Sequence, residues 1–308
     1  MSSASTSVDR EEERGIALLV VIWLLALLAI LIVGFSGDAR TELLVARNHY
    51  ESASARAVAD AGVSLAILGI LDPAPEAQWP TDGRVREVRY ADGTIRIRIQ
   101  DEGGKIDLNA APPELLAGLL TSVGGLSAGD AGNLAQAIDA YRQAQQQADT
   151  PAAGRGRLST MVRRQANAFR VIADLRLVAG VTREIYDRIA PFITVYSGVG
   201  DVDPLTAPPE VLRSLPGINA GEVQAFLAAR ALQGPIPGQL PPLSGPVGGS
   251  LAHRVLQNAT VLAEGKTANG TTFTRAAVVS LSADPTAPYS VLSWRQVRRE
   301  PGAGEGDK

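Results

Sequence analysis

The chain has 308 residues, a net charge of −3 and no cysteine. That length makes room for about two domains, and the missing thiols exclude disulfides, thiolate zinc sites and a cysteine nucleophile. Asp9, Glu11, Glu12 and Glu13 outweigh Arg10 and Arg14 at the start, so the rest is near neutral, which argues against nucleic acid as the main partner because that binding rests on many cationic contacts to phosphate.

Ile16 to Phe35 reads IALLVVIWLLALLAILIVGF, without a charged or strongly polar side chain. As a helix rising about 1.5 Å per residue it covers roughly 30 Å, the hydrocarbon thickness of a bilayer. A single-pass anchor is the plainest reading. A cleavable secretory signal fits less well, because the run is long and the segment before it is acidic. From Asp38 to Leu71 no proline interrupts the chain, and Leu43, Leu44, Ala46, Ala53, Ala57, Val58, Ala61, Leu65 and Leu68 recur at helical spacing. The spacing predicts one continuous helix, apolar first and amphipathic second, ending at Asp72-Pro73. An anchor alone does not need the second half; a subunit that packs helix against helix does.

Beyond the prolines at 73, 75 and 80, Arg84 to Gln100 alternates Val85, Val88, Ile95, Ile97 and Ile99 with polar residues around Asp92-Gly93. This predicts a β-hairpin. Its interleaved arginines read as a solvated face rather than an RNA platform. From Asp101 to about Arg230 the pattern becomes short helices and turns, with a degenerate repeat. Asp107 to Leu116 (DLNAAPPELL) aligns with Asp203 to Leu212 (DPLTAPPEVL), identical at six of ten positions. Each copy predicts a turn, a proline near a helix start and a glutamate at the helix's positive end. Leu215-Pro216-Gly217-Ile218-Asn219 resembles a helix-hairpin-helix module, whose backbone amides bind DNA phosphate; Asn219 stands where the second glycine belongs, and cations nearby are few. A Pro/Gly-rich connector follows from Gly234, then strands at Val255–Leu262, Thr272–Leu281 and Ser290–Val297, and a tail with the composition of disorder.

Arg14-Gly15 ahead of a long apolar helix resembles the type IV pilin class, including the pseudopilins of type II secretion. In that class a prepilin peptidase cuts after the glycine and methylates the new N-terminus. The resemblance therefore implies a cut between Gly15 and Ile16 and N-methylation of Ile16. Most members carry glutamate at the fifth mature position, where this chain has Val20. Its absence, the run ALLVVIW from Ala17 to Trp23, Asp101 to Asn109 (DEGGKIDLN), Leu175 to Thr182 (LRLVAGVT) and Pro191 to Thr194 (PFIT) are together similar to the minor pseudopilin K family. One departure is the acidic leader, where pilin leaders tend to be basic.

The resemblance implies an α+β fold, with a pilin-like long N-terminal helix packed on an antiparallel sheet and a large inserted all-α domain. It divides the chain into a leader (1–15), a transmembrane half-helix (16–37), the amphipathic half-helix with the first hairpin (38–100), an inserted helical domain (101–233), a linker (234–249), C-terminal pilin-like strands (250–298) and a disordered tail (299–308). It implies a place at the tip of the periplasmic pseudopilus, with minor pseudopilins of the I and J types and the major pseudopilin as partners, prepilin peptidase as processing enzyme, and the inner membrane as location. Leu43, Leu44, Ala53 and Ala57 are the expected partner-packing residues. Calcium enters by resemblance alone. Family members bind it in the helical domain, and the matching positions here offer Asp139 and Asp149, with glutamines where further carboxylates are expected; calcium wants six to eight oxygens. No catalytic constellation is visible. His49 and His253 lie in no metal or triad spacing, Ser159 and Ser214 lack a nucleophile elbow, and no Gly-rich loop follows a strand. No enzyme is expected. The alternative reading is a membrane-anchored DNA receptor built on the helix-hairpin-helix-like copies.

Overall fold

Good helix formers and the absence of proline give the N-terminal segment a single helix, α1, over Val8–Ile70. It starts earlier than the predicted Ile16, since Gly15 costs only about 1 kcal/mol within an otherwise favourable helix. The computed structural model describes residues 8–74, 77–91, 93–148, 168–234, 240–243 and 251–297; for 8–17, 31–41 and 233 it describes the backbone alone. The chain divides into two compact units, Met1–Ala55 and Arg56–Lys308. In the first unit, the described side chains from Leu18 to Ile30 and from Glu42 to Tyr50 are all exposed.

In the second unit, the end of α1 packs on a sheet. The strands are β1 (Asp82–Tyr90), β2 (Gly93–Asp101), β5 (Asn258–Lys266), β6 (Thr272–Leu281) and β7 (Tyr289–Val297), hydrogen-bonded in that order. Every pairing among them is antiparallel. Strand alternation sends Ile95, Ile97 and Ile99 of β2 to the helix side, where they are at most 2% exposed. Val58, Val63, Ala66, Ile67 and Ile70 of α1 meet them, with Val261 and Val279 from the neighbouring strands. Burying each such Val or Ile contributes about 1.5–3 kcal/mol. Helix and sheet approach closely at Gly62, where a Cβ would stand 2.6 Å from Ile95 Cγ2 and 2.9 Å from Ala263 Cβ. Trp79 closes the helix end over Gly69: its N–H donates to the Gly69 carbonyl at 2.9 Å, and Arg86 stacks on its ring. An ion pair lies on this apolar face. Arg275 of β6 is 8% exposed; it donates to Asp60 of α1 at 2.6 and 3.3 Å and lies over the rings of Phe273 and Trp294.

Because β2 and β5 are neighbours, everything between them leaves the sheet and returns to it as an insertion. The insertion holds β3 (Ile106–Asp107), α2 (Pro113–Ser122), α3 (Ala128–Ala148), α4 (Arg183–Ile189), β4 (Ile193–Thr194), α5 (Pro209–Arg213) and α6 (Ala220–Gln233). The short β3 and β4 pair in parallel, Ile106 opposite Ile193. The insertion has its own core, including Leu108, Leu115, Leu116, Leu119 and Leu120 near the first repeat copy and Val211, Leu212, Val223 and Phe226 near the second. The chain is thus α+β, with a long N-terminal helix whose end packs on an antiparallel sheet; the inserted body is mainly helical rather than all-α, because it holds the β3–β4 pair.

Candidate functional site

Three features bear on function, beginning with the exposed face of α1. Val20 is 60% exposed and Trp23 71%. In the apolar run these side chains have nothing to cover them, an arrangement that suits lipid or another apolar helix and not water. Further along, Leu43 is 71% and Leu44 62% exposed; Ala53 and Ala57 are exposed as well. These four expected packing residues therefore remain available on the isolated chain. Leu68, expected on the same face, is exposed too, whereas the sheet takes up the stripe containing Val58, Ala59, Val63, Ala66 and Ile67. Glu42–Ile70 is long and apolar enough to cross a membrane, but half of its apolar window is buried inside the protein, as a core helix requires. Gly15 and Ile16 lie within the helical backbone of α1.

The second feature is a polar node where β2 meets the insertion. Asp101, Glu102 and Lys105 are all buried. Glu102 Oε1 accepts from Lys105 Nζ and from Thr260 Oγ1, each at 2.6 Å, and its Oε2 accepts from Thr194 Oγ1. One carboxylate thus ties the sheet (Thr260) to the insertion (Thr194). Asp101 Oδ1 accepts the Gly103 N–H at 2.8 Å and Oδ2 the Thr206 hydroxyl at 3.2 Å. Burial pushes the Asp101 carboxyl up to about 6, the bond from Gly103 opposing it and the negative charges of Asp203 and Glu102 adding to it. Gly104 is held against backbone, since a Cβ there would lie 2.7 Å from the Thr206 carbonyl carbon.

The third feature is the repeat, which proves to be a repeated set of hydrogen bonds. In the first copy the Ala111 N–H donates to the Asp107 carbonyl at 2.9 Å, and in the second Ala207 does the same to Asp203 at 2.9 Å. Asp107 Oδ1 accepts from the Asn109 N–H and Asp203 Oδ1 from the Leu205 N–H. The other oxygen reaches a distant segment: Asp107 Oδ2 accepts from Ser197 and the Gly198 N–H, while Asp203 Oδ2 meets His253 Nδ1 at 2.8 Å and the Arg254 N–H. Pro113 and Pro209 are the first residues of α2 and α5, where a missing N–H costs nothing. Each turn is then capped by an arginine from the next long helix. Arg142 Nη1 donates to the Ala111 carbonyl at 2.7 Å, and Arg230 Nη1 to those of Ala207 at 2.8 Å and Pro204 at 2.9 Å. Burial draws the Arg230 guanidinium below its usual range, with Asp82 and Asp203 opposing. Sequence reading missed these two arginines. The available signal was spacing: each follows a buried apolar residue, Ile138 or Phe226, by one helical turn.

The two cation-dependent expectations meet this geometry differently. Asp139 Oδ1 accepts from Arg142 Nη2 at 2.6 Å and Oδ2 from Gln143 Nε2 at 2.8 Å, so its charge is already answered by a guanidinium. Asp149 lies outside the described residues. Among the described residues no group of three His, Asp or Glu side chains could hold a metal, and Asp139 by itself offers far fewer oxygens than calcium wants. At the second-copy hairpin Gly217 takes φ +69°, and Asn219 caps α6 by accepting from the Gly221 and Glu222 amides at 2.7 and 3.4 Å. Those amides are among the donors a phosphate would need, and Glu222 in the first turn of α6 repels an anion. His49 is exposed on α1.

Residues 98–198 match the family model described as type II secretion system (T2SS), protein K. This segment is similar to the protein K family. It runs from the middle of β2 through the polar node and the first repeat copy to just beyond β4; the second copy lies outside it. No curated protein matches the chain. A chain of the GspK-GspI-GspJ complex from the type 2 secretion system of enterotoxigenic Escherichia coli is similar over 85% of this chain and 100% of its own length, with 17% identity and a TM-score of 0.49.

Proposed function

We propose that the chain is a minor pseudopilin of type II secretion. It is held in the inner membrane by the apolar first half of α1, with the soluble body in the periplasm, and it caps the tip of the pseudopilus and supports its assembly. The observation that carries this reading is the protein K segment on a chain whose N-terminal helix exposes an uninterrupted apolar surface around Val20. A free amine at a mature Ile16 is costly in hydrocarbon without a carboxylate partner. A neighbour's glutamate can serve this chain's amine, but Val20 offers nothing in return to a subunit ahead. The place that suits such a helix is the one with no subunit ahead. Prepilin peptidase is the processing enzyme, minor pseudopilins of the I and J types and the major pseudopilin are the partners, and the role is structural rather than enzymatic.

The parsing into leader (1–15), anchor, amphipathic helix with hairpin, inserted body (101–233), linker and C-terminal strands belongs to this proposal. So does packing through Leu43, Leu44, Ala53 and Ala57. Intact-mass and peptide mass spectrometry of the protein from cells with an active prepilin peptidase tests it. The expected product begins with N-methylated Ile16. A chain that keeps its leader, or starts elsewhere, overturns it.

A further inference from the structure

A cleft of about 570 Å³ opens between the outer face of the sheet and the insertion. All the sheet strands line one wall, including Arg98 of β2, Leu262 of β5 and Arg295 of β7. The facing wall is aromatic and proline-rich, with Tyr186, Pro191, Phe192, Tyr196 and Pro208. The buried node forms part of the lining through Glu102, Lys105 and Thr260. The volume falls in the range of ligand clefts.

The charges in this cleft are unevenly answered. Glu102 is paired with Lys105, and Asp82 with Arg84 at 2.6 Å. Elsewhere on the outer face Arg96 approaches Glu264 at 4.0 Å. Arg98 and Arg295 are exposed, and among the described residues neither appears in an ion pair or a side-chain hydrogen bond. They occupy one row across the sheet, because Arg98 lies opposite Leu262, Leu262 opposite Ala276, and Ala276 opposite Arg295. Three strand spacings separate their Cα atoms by roughly 14 Å. An extended chain covers that distance in about four residues, and residues i, i+2 and i+4 point to the same side. Glu210 on the opposite wall repels an acid there, leaving the sheet side as the anionic contact.

We propose that this cleft receives an extended segment of a partner protein lying across the strands, with carboxylates at positions i and i+4 on Arg98 and Arg295 and apolar side chains between them. The residue at i+2 lies over Leu262, and those at i+1 and i+3 face the tyrosines and prolines. This inference is independent of the place at the filament tip and does not rest on it.

The test uses the full chain in detergent micelles and a fluorescein-labelled peptide, Gly-Gly-Glu-Thr-Val-Thr-Glu-Gly-Gly, followed by anisotropy. The peptide is expected to bind, more weakly as salt rises. Arg98→Glu and Arg295→Glu should each weaken binding at least tenfold, while Arg89→Glu, exposed on β1 outside the cleft, leaves it unchanged. A peptide with lysine for both glutamates should bind the double-glutamate variant and not the wild type. Circular dichroism of the variants separates lost binding from lost fold. Binding that ignores both cleft substitutions, or is equal for carboxylates spaced i and i+2, overturns the proposal. Removal of residues 299–308 should leave affinity unchanged; a tenfold gain would make the chain's own C-terminal segment the occupant and overturn the assignment to a partner.

Discussion

Asp101 is the clearest place to test the physics of the polar node. Its carboxyl is pushed from 3.8 up to about 6, mainly by burial. A raised acid pKa means that the folded chain holds a proton the unfolded chain has lost. Between roughly pH 4 and 6 the native state binds more protons, so stability falls as pH rises through that window. Above pH 6 the ionised carboxylate costs the fold at most about 3 kcal/mol, the shift converted at 1.36 kcal/mol per unit. Asp101→Asn removes the charge and keeps the shape: the amide oxygen accepts from the Gly103 N–H, and the amide nitrogen donates to the Thr206 hydroxyl. Urea unfolding of wild type and variant, followed by circular dichroism in micelles from pH 4 to 8, reads the difference directly. The variant should be nearly as stable as wild type at pH 4 and more stable by about 1–3 kcal/mol at pH 8. A difference that does not change with pH, or a variant less stable at pH 8, would refute the reasoning.

Other expectations follow from packing. Asp60→Ala leaves the buried Arg275 guanidinium without its carboxylate and should cost about 3 kcal/mol in urea unfolding, while the double change Asp60→Leu with Arg275→Met should restore most of it. Gly62→Val should destabilise by about 1–3 kcal/mol, because even its Cβ falls 2.6 Å from Ile95. Gly132→Ala, at an α3 position with nothing within 4 Å, should instead raise the unfolding midpoint, by about 0.5–1 kcal/mol of stability.

Much of this architecture was readable because it follows local patterns. The alternation of Ile95, Ile97 and Ile99 announced a half-buried strand, and Asp92-Gly93 placed the hairpin turn between the two runs. The paired Asp…Ala-Pro-Pro-Glu segments announced two turn–helix starts, and these became α2 and α5 with proline as the first residue. The buried stripe of α1 was read less well. It is marked by Ala59, Gly62 and Ala66, small residues that hydrophobic periodicity barely registers but that a close helix–sheet approach selects. Long-range polar pairing was invisible. Asp60 and Arg275 lie 215 residues apart, and Glu102 and Thr260 158 apart. Nothing local shows that Asp107 and Asp203 use their second oxygens on distant segments. Asp139, one of the two expected calcium ligands, takes an arginine partner for an equally non-local reason. Arg142, one turn beyond Asp139, turns inward to cap the Ala111 carbonyl and takes the Asp139 carboxylate with it.

The proposed place at the tip of a filament is open to direct measurement. Assembled pseudopili carrying a gold-labelled epitope on this chain can be imaged by electron microscopy, with Val20→Glu as the comparison. Label at one end of each filament, spreading along the length when Val20 becomes Glu, is the expected result. Label distributed along filaments of the unaltered chain would contradict a tip subunit.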